Sequence, residues 1–324
     1  MSVLPTIAGF NPNLLMGTKY TYDRDKANRA LRFFPKVLRH VKNSRFTKAG
    51  DPFELEEWQQ IIVALLFGVV EKASGLRRFR TAYIEVPRKN GKTTLAAGIA
   101  LYSLFADGED GAEVYCAASI GEQASLVCDI AAGMVAKSKM LHTTSKVRKS
   151  VKRIIYKDSY MRAIASDAHG LHGQHASCVL LDEFHALAGG GHELHSVLET
   201  GTAARSQPLF MSITTAGCDQ TTKCYQVHEY AKDVSDGRTE DETILPVIFG
   251  IEQTDDWKSE ESWYKANPNL GVSLPVEYLR QQCMKAQNER SFENAFKRLH
   301  LNMWTQQQNR WLSMDAWDAC EVAV

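Results

Sequence analysis

Several things are scarce in this 324-residue sequence, and each scarcity excludes a class of protein. Its seven cysteines, at positions 116, 128, 178, 218, 224, 283 and 320, are odd in number and include no C-x-x-C pair. That spacing disfavours a disulfide framework or a zinc ribbon and suits reduced thiols, several of them small hydrophobes in strand-like runs. Long apolar runs are also missing. The longest, residues 61–70, is too short to cross a bilayer and suits a buried helix. The N-terminus has no basic segment leading into an apolar stretch, so no secretory signal is expected. A soluble intracellular protein with no membrane partner is the expectation. Charge of one sign is lacking too, since 38 Lys and Arg balance 38 Asp and Glu. Net charge therefore points to no polyanionic partner, although a neutral body can carry a local basic stripe. Basic clusters stand at 24–45, 77–80, 137–157 and 285–298. No internal repeat or low-complexity tract is present.

What is present is alternation. Residues 1–25 carry little periodicity and read as a loose arm. Helices are expected at 24–42 and 54–72, the second with Leu55, Trp58, Ile61, Ile62, Leu65 and Leu66 on one face. Strands at 79–86, 112–119, 178–181, 209–215 and 243–251 then alternate with helices at 91–106, 121–140, 192–204 and 222–234. A strand pair at 152–156 and 160–166 turns at Lys157-Asp158. This order predicts an α/β fold with a mostly parallel sheet and helices on both faces. After 251 the strands stop, and one long helix is expected over 276–302. The division reads as an arm and helix (1–50), a core (51–251) and a lid or linker region (252–324).

The chemistry concentrates at the ends of the expected strands. Pro87-Arg88-Lys89-Asn90-Gly91-Lys92-Thr93-Thr94 joins a strand to an amphipathic helix. Such a junction aims successive backbone N–H groups and a helix N-terminus at an anion, with Lys92 reaching the β/γ phosphates and Thr93 placed for Mg²⁺. The usual first glycine of a phosphate loop is replaced by Val86, so the loop must turn by another route, with Pro87 fixing its entry. Cys178-Val-Leu-Leu-Asp182-Glu183 is an apolar strand ending in two carboxylates. Asp182 is placed to hold a magnesium hydration shell and Glu183 to polarise an attacking water. The strand 209–215 ends in Thr214 and Thr215, where hydrolysis can be coupled to movement. Upstream, Gln59 is a candidate adenine contact beside Trp58. Taken together these predict an ATPase of the phosphate-loop, RecA-like (ASCE) type using ATP and Mg²⁺.

The set resembles the large terminase subunit of tailed bacteriophages. The likeness rests on W-Q at 58–59, P-R-K-N-G-K-T, S-D-A-H-G-L-H-G-Q, L-L-D-E-F-H, I-T-T-A-G, N-P-N-L-G, N-M-W-T-Q and W-L-S-M-D-A-W-D-A-C. The resemblance implies a motor that moves double-stranded viral DNA into a prohead, in the host cytoplasm and transiently at the portal vertex. It implies as partners a portal protein, a small terminase subunit and neighbouring copies in a ring, a pentamer on the portal and a monomer in isolation. It assigns adenine contact to Gln59, phosphate and Mg²⁺ binding to Lys92 and Thr93, metal support to Asp182, catalysis to Glu183 and coupling to Thr214–Thr215. Arg88 would face phosphate, and Arg205 is the candidate arginine finger acting on a neighbouring subunit. The family's C-terminal nuclease, with its metal-binding Asp residues, is expected to be absent: Asp315 and Asp318 lie in a Trp-flanked tail that suits metal poorly.

Other readings carry less. The histidines at 169, 172, 175, 185, 192 and 195 invite zinc, but no cysteine pair joins them. A helicase would need a downstream Q-x-x-G-R-x-x-R segment, which is missing. An ATP-binding assembly protein without turnover stays open. The basic stretch 146–157 is a candidate DNA contact or a solvated face.

Overall fold

The computed structural model describes residues 18–118, 121–165, 175–187 and 191–305. The N-terminal arm before residue 18, the segment 166–174 with His169 and His172, and the tail with Asp315 and Asp318 lie outside the described residues.

The chain opens with β1 (Tyr20–Tyr22) and α1 (Arg24–Val37), whose N-cap Asp23 accepts from the amides of Asp25 and Lys26. α2 (Glu57–Gly68) runs directly into β2 (Val69–Glu71), which pairs antiparallel with β1. The expected helix 54–72 is therefore shorter, and the arm supplies a strand. α1 buries Phe33 and Phe34 in the same core as α2, so the first fifty residues are partly built into the core rather than set apart from it.

The main sheet contains β3 (Thr81–Glu85), β4 (Glu113–Ala118), β5 (Lys146–Arg148), β6 (Arg153–Tyr156), β7 (Ser159–Ala165), β8 (Cys178–Asp182), β9 (Leu209–Thr214) and β10 (Ile244–Ile248). Their order across the sheet is β10-β3-β9-β8-β4-β7-β6-β5. The first six run parallel, while β6 and β5 add an antiparallel extension. Every residue of β8 and β9 is buried, as strands covered on both faces must be.

α3 (Lys92–Phe105) and α4 (Gly121–Lys137) cover one face, and α6 (His192–Thr200) and α7 (Lys223–Ser235) the other. α5 (Lys139–Thr144) is a short helix after α4. Two apolar cores result, one on each side of the sheet. A third gathers α8 (Glu260–Ala266), α9 (Val276–Asn288) and α10 (Arg290–Leu301) around Trp263, Leu279 and Phe296. The long helix expected at 276–302 is thus two. Glu289, with φ −113° and ψ 96°, ends α9 and opens α10, and the break lets both apolar faces share one cluster. No helix among the described residues is long and apolar enough to cross a membrane.

Candidate active site

Strand order brings the chemistry together. β9 lies between β3 and β8, so the loop after β3, the acidic pair after β8 and the threonines of β9 share one edge of the sheet. The loop does not need a first glycine. Val86, the residue after β3, is fully buried and still tied to β9, its amide donating to the Thr214 carbonyl (3.1 Å). The left-handed turns fall later, at Lys89 (φ 70°) and Gly91 (φ 85°), and Gly91 caps the N-terminus of α3. Gly91 reaches that conformation without penalty, whereas Lys89 carries strain of about 1–2 kcal/mol.

The loop is held from behind by asparagines. The buried Asn90 amide donates to the Pro87 carbonyl (3.1 Å) and to Asn267 Oδ1 (2.9 Å), and its oxygen accepts from the Asn269 amide (3.0 Å). Asn269 Nδ2 donates back to the Asn90 carbonyl (3.2 Å), and Trp58 Nε1 donates to Asn269 Oδ1 (2.7 Å). The N-P-N-L-G segment and Trp58 are therefore supports of the phosphate loop. No local signal in the sequence links them, because they are brought together across more than 170 positions.

A cavity of about 470 Å³ opens in front of the loop, lined by Arg88, Lys89, Gly91, Lys92, Thr93, Thr94, Asp182, Glu183 and His185. Its size is ordinary for a small-molecule site. Lys92 is buried at its base, with Nζ donating to the Pro87 carbonyl (3.2 Å). Burial lowers its pKa to about 8, against the pull of Glu183 and Asp182. Asp182 is buried beside it, and its pKa is pushed up to about 6, first by burial and then by Glu183. Lys92 and a hydrogen bond with Thr93 work the other way. A buried carboxylate and a hydroxyl in contact form an oxygen donor set suited to a hard divalent cation, whose charge would relieve the desolvation of Asp182. Glu183 stands in the left-handed region (φ 51°), and its Oε2 is buried with no hydrogen-bond partner. Strain and an unpartnered carboxylate oxygen in one residue are what a reactive position retains.

His185, which sequence reasoning set aside with the zinc candidates, joins the cavity lining. Its backbone amide donates to Thr214 Oγ1 (3.0 Å), its Nδ1 lies 3.0 Å from the same oxygen, and Thr215 Oγ1 is 3.4 Å from Nδ1. Glu183 Oε2 lies 3.4 Å from the same Nδ1. Burial lowers the His185 pKa to about 4, so the imidazole is neutral and the contact with Glu183 is polar rather than ionic. The signal available was its place in D-E-F-H, two residues past the carboxylate. The other described histidines of that group go elsewhere: His195 stacks on Phe184, His192 faces the Thr221 carbonyl, and the His175 backbone meets Glu113 and Arg205. Arg298 of α10 was also missed; it adds positive charge near His185, and its Nη1 approaches Cys218 Sγ (3.6 Å) just past the coupling strand.

Two of the expected site residues stand away from the cavity lining. Gln59 does not line the cavity. It is buried behind Gly91, and its Oε1 accepts from the Glu56 amide (3.1 Å) in the capping box of α2. Leu126, exposed on α4, and Ala186 are the apolar residues that line the cavity. Arg205 is held by its own chain. It precedes β9 and so lies at the sheet edge opposite the phosphate loop, donating to the carbonyls of His175 (2.9 Å), Asp110 (3.2 Å) and Gly111 (2.7 Å) and to Glu109 (3.4 Å). A guanidinium spent on four acceptors of its own chain has little left for a neighbour.

Comparison with known proteins agrees with this geometry. The family model "Terminase large subunit, ATPase domain" matches residues 57–233, and "Terminase large subunit, endonuclease domain" matches residues 240–324. The second match overturns the expectation that the nuclease region is absent; its described part, 240–305, supplies edge strand β10 and helices α8–α10. The large terminase subunit of Enterobacteria phage HK97 is 26% identical over 275 residues, covering 84% of this chain and 52% of that protein. Protein YmfN of Escherichia coli K12 is 33% identical over 149 residues, 46% of this chain and 32% of that protein. The chain thus spans about half the length of the first and a third of the second. The crystal structure of the HK97 large terminase superposes with a TM-score of 0.73 at 23% identity, covering 91% of this chain and 58% of that one, which supports the fold. Since the ATPase-domain model alone accounts for more than half of its length, this chain belongs to the terminase large subunit family.

Proposed function

We propose that the chain is an ATP-hydrolysing motor subunit that drives double-stranded viral DNA into a prohead. The observation that carries this reading is the bridge from Glu183 through His185 to Thr214 and Thr215, which ties the hydrolytic carboxylate to a strand able to pass on movement. Lys92 and Arg88 bind the β/γ phosphates, and the backbone amides of residues 89–94 cradle them. Glu183 orients and deprotonates the attacking water, its unpartnered Oε2 being the acceptor. Asp182 and Thr93 would hold Mg²⁺, which when bound neutralises phosphate charge. When the γ-phosphate leaves, the polar environment of Glu183 and His185 changes, and β9 feels it through two buried hydroxyls.

The working partners under this reading are duplex DNA, a portal protein, a small terminase subunit and further copies in a pentameric ring, assembled on the portal from monomers. The site of action is the host cytoplasm at the portal vertex. Glu183→Gln is the test. Turnover should fall about 10²- to 10⁴-fold while nucleotide binding by equilibrium titration stays within a few-fold. Wild-type turnover that remains nil with DNA and proheads present would favour a nucleotide-binding assembly role instead.

A further inference from the structure

The antiparallel extension of the sheet holds an arrangement that hydrolysis does not use. Pairing places Arg148 of β5 opposite Arg153 of β6, and Arg153 opposite Arg162 of β7. Residues directly opposite one another share a face, and neighbouring strands lie about 4.8 Å apart. Three arginines therefore form a row across three strands. Like charges in this register oppose folding. Among the described residues no carboxylate stands within ion-pair distance of any of the three, and the one ion pair of the hairpin is Lys152 with Asp129 (2.7 Å).

Aromatic faces support the row. The Arg153 guanidinium lies 3.9 Å from the Tyr160 ring centre, and that of Arg162 lies 5.1 Å from Tyr115. Ring faces attract the cation without consuming its N–H donors. Within the row Arg148 is exposed and Arg153 and Arg162 are half-buried, and around it Lys146, Lys149 and Lys157 are exposed. Two lysines here, Lys152 (φ 47°) and Lys157 (φ 50°), occupy left-handed backbone where glycine would be relaxed, so lysine is kept at a conformational cost.

Edge strands often carry lysine and arginine simply to discourage pairing with other chains. That explains Lys146 and Arg148 on β5. It does not explain Arg153 and Arg162, which lie on interior strands. Topology adds a further point. β6 runs antiparallel to β7, so the β5–β6 tip at 149–152 projects from the sheet edge that carries the phosphate loop.

We propose that the face carrying Arg148, Arg153 and Arg162, with the β5–β6 tip, is a contact surface for the phosphate backbone of duplex DNA. The inference rests on the motor reading for its choice of polyanion. The contact is independent of sequence, because a flat row of guanidiniums reaches phosphates and not base edges.

The experiment measures binding of the full chain to a short random-sequence duplex across a KCl titration. Removing the cation that meets one phosphate should flatten the slope of log K against log salt by about 0.9. The triple variant Lys146→Gln, Arg148→Gln, Lys149→Gln should reduce the slope by about two to three units and weaken affinity about ten-fold or more at moderate salt. Its DNA-independent ATP turnover should equal wild type, since none of these residues lines the nucleotide cavity. A control triple, Lys42→Gln, Arg45→Gln, Lys48→Gln, removes the same charge from another exposed segment and should keep the slope. If wild type binds DNA and the hairpin triple keeps its slope, or the control flattens it equally, the hairpin assignment is overturned and the motor reading survives. If wild type shows no salt-dependent DNA binding, both fall.

Discussion

A buried amide is costly unless both of its ends are used. Asn90 uses both, donating to Pro87 and Asn267 and accepting from Asn269, and so holds the turn that Lys89 would otherwise resist. Asn90→Ala leaves the Asn269 amide and Asn267 Oδ1 buried without this partner, at about 1–3 kcal/mol each. Thermal stability should drop by several degrees, and KM for ATP should rise more than kcat falls, because the phosphate-facing backbone is what loses its support. Calorimetry with steady-state kinetics checks this; an unchanged KM would mean that the asparagines hold the lid region and not the loop. The sequence shows Asn90 inside its motif but not its partners, since nothing local to residue 90 points to residues 267 and 269. His185 was hidden differently. Its chemistry suggested metal, and only the packing of β8 beside β9 reveals the threonines it bonds.

At the scale of elements, close approach decides what composition cannot. Gly98 sits in the middle of α3, where glycine ordinarily costs about 1 kcal/mol relative to alanine. Here a Cβ would overlap the ring of Phe34 on α1. That ring is fully buried and edge-packed on Phe33 and Phe53, so it has nowhere to go. Overpacking costs about 1–3 kcal/mol, which offsets or exceeds the helix gain. Gly98→Ala should therefore lower the urea midpoint with the m-value unchanged; a higher midpoint would show that α1 yields. Long apolar elements with chemistry at their ends, such as β3, β8, β9 and α3, were legible because pattern and motif coincide. The three-residue strands β1, β2 and β5 were not, since Y-T-Y, V-V-E and K-V-R are too short for a period to register. The break at Glu289 was equally silent, with neither glycine nor proline to mark it. The partners of Arg205, on residues 109–111 and 175, were silent as well, since they lie 30 or more positions away along the chain.

For the whole molecule, the question is how the chain leaving the sheet is tied to the phosphate loop. Glu85, the last residue of β3, is fully buried, and its Oε2 accepts from Tyr83 OH (2.6 Å), His228 Nδ1 (3.0 Å) and Trp304 Nε1 (3.2 Å). One carboxylate thus joins the strand before the loop, helix α7 and the segment after α10. Burial disfavours charge on His228, but Glu85 in hydrogen bond, with Glu229 on the other ring nitrogen (3.8 Å), outweighs it and raises the pKa above its ordinary value; Lys232 opposes only weakly. A histidine whose pKa is higher folded than unfolded stabilises fully below its unfolded value of about 6.5, and that stability is lost as pH rises through the folded value. His228 should therefore contribute a stabilisation that fades as pH climbs above about 6.5, against the opposite trend of His185, His195 and His300, whose pKa values burial lowers. His228→Gln keeps a donor for Glu85 but cannot titrate, so its melting temperature should start lower at about pH 6 and close on wild type as pH rises. The difference between the two curves isolates this histidine from every other group that titrates there. Parallel curves would mean that Glu85 is held by Tyr83 and Trp304 alone, and that α7 contributes packing rather than charge to the junction between the phosphate loop and the C-terminal region.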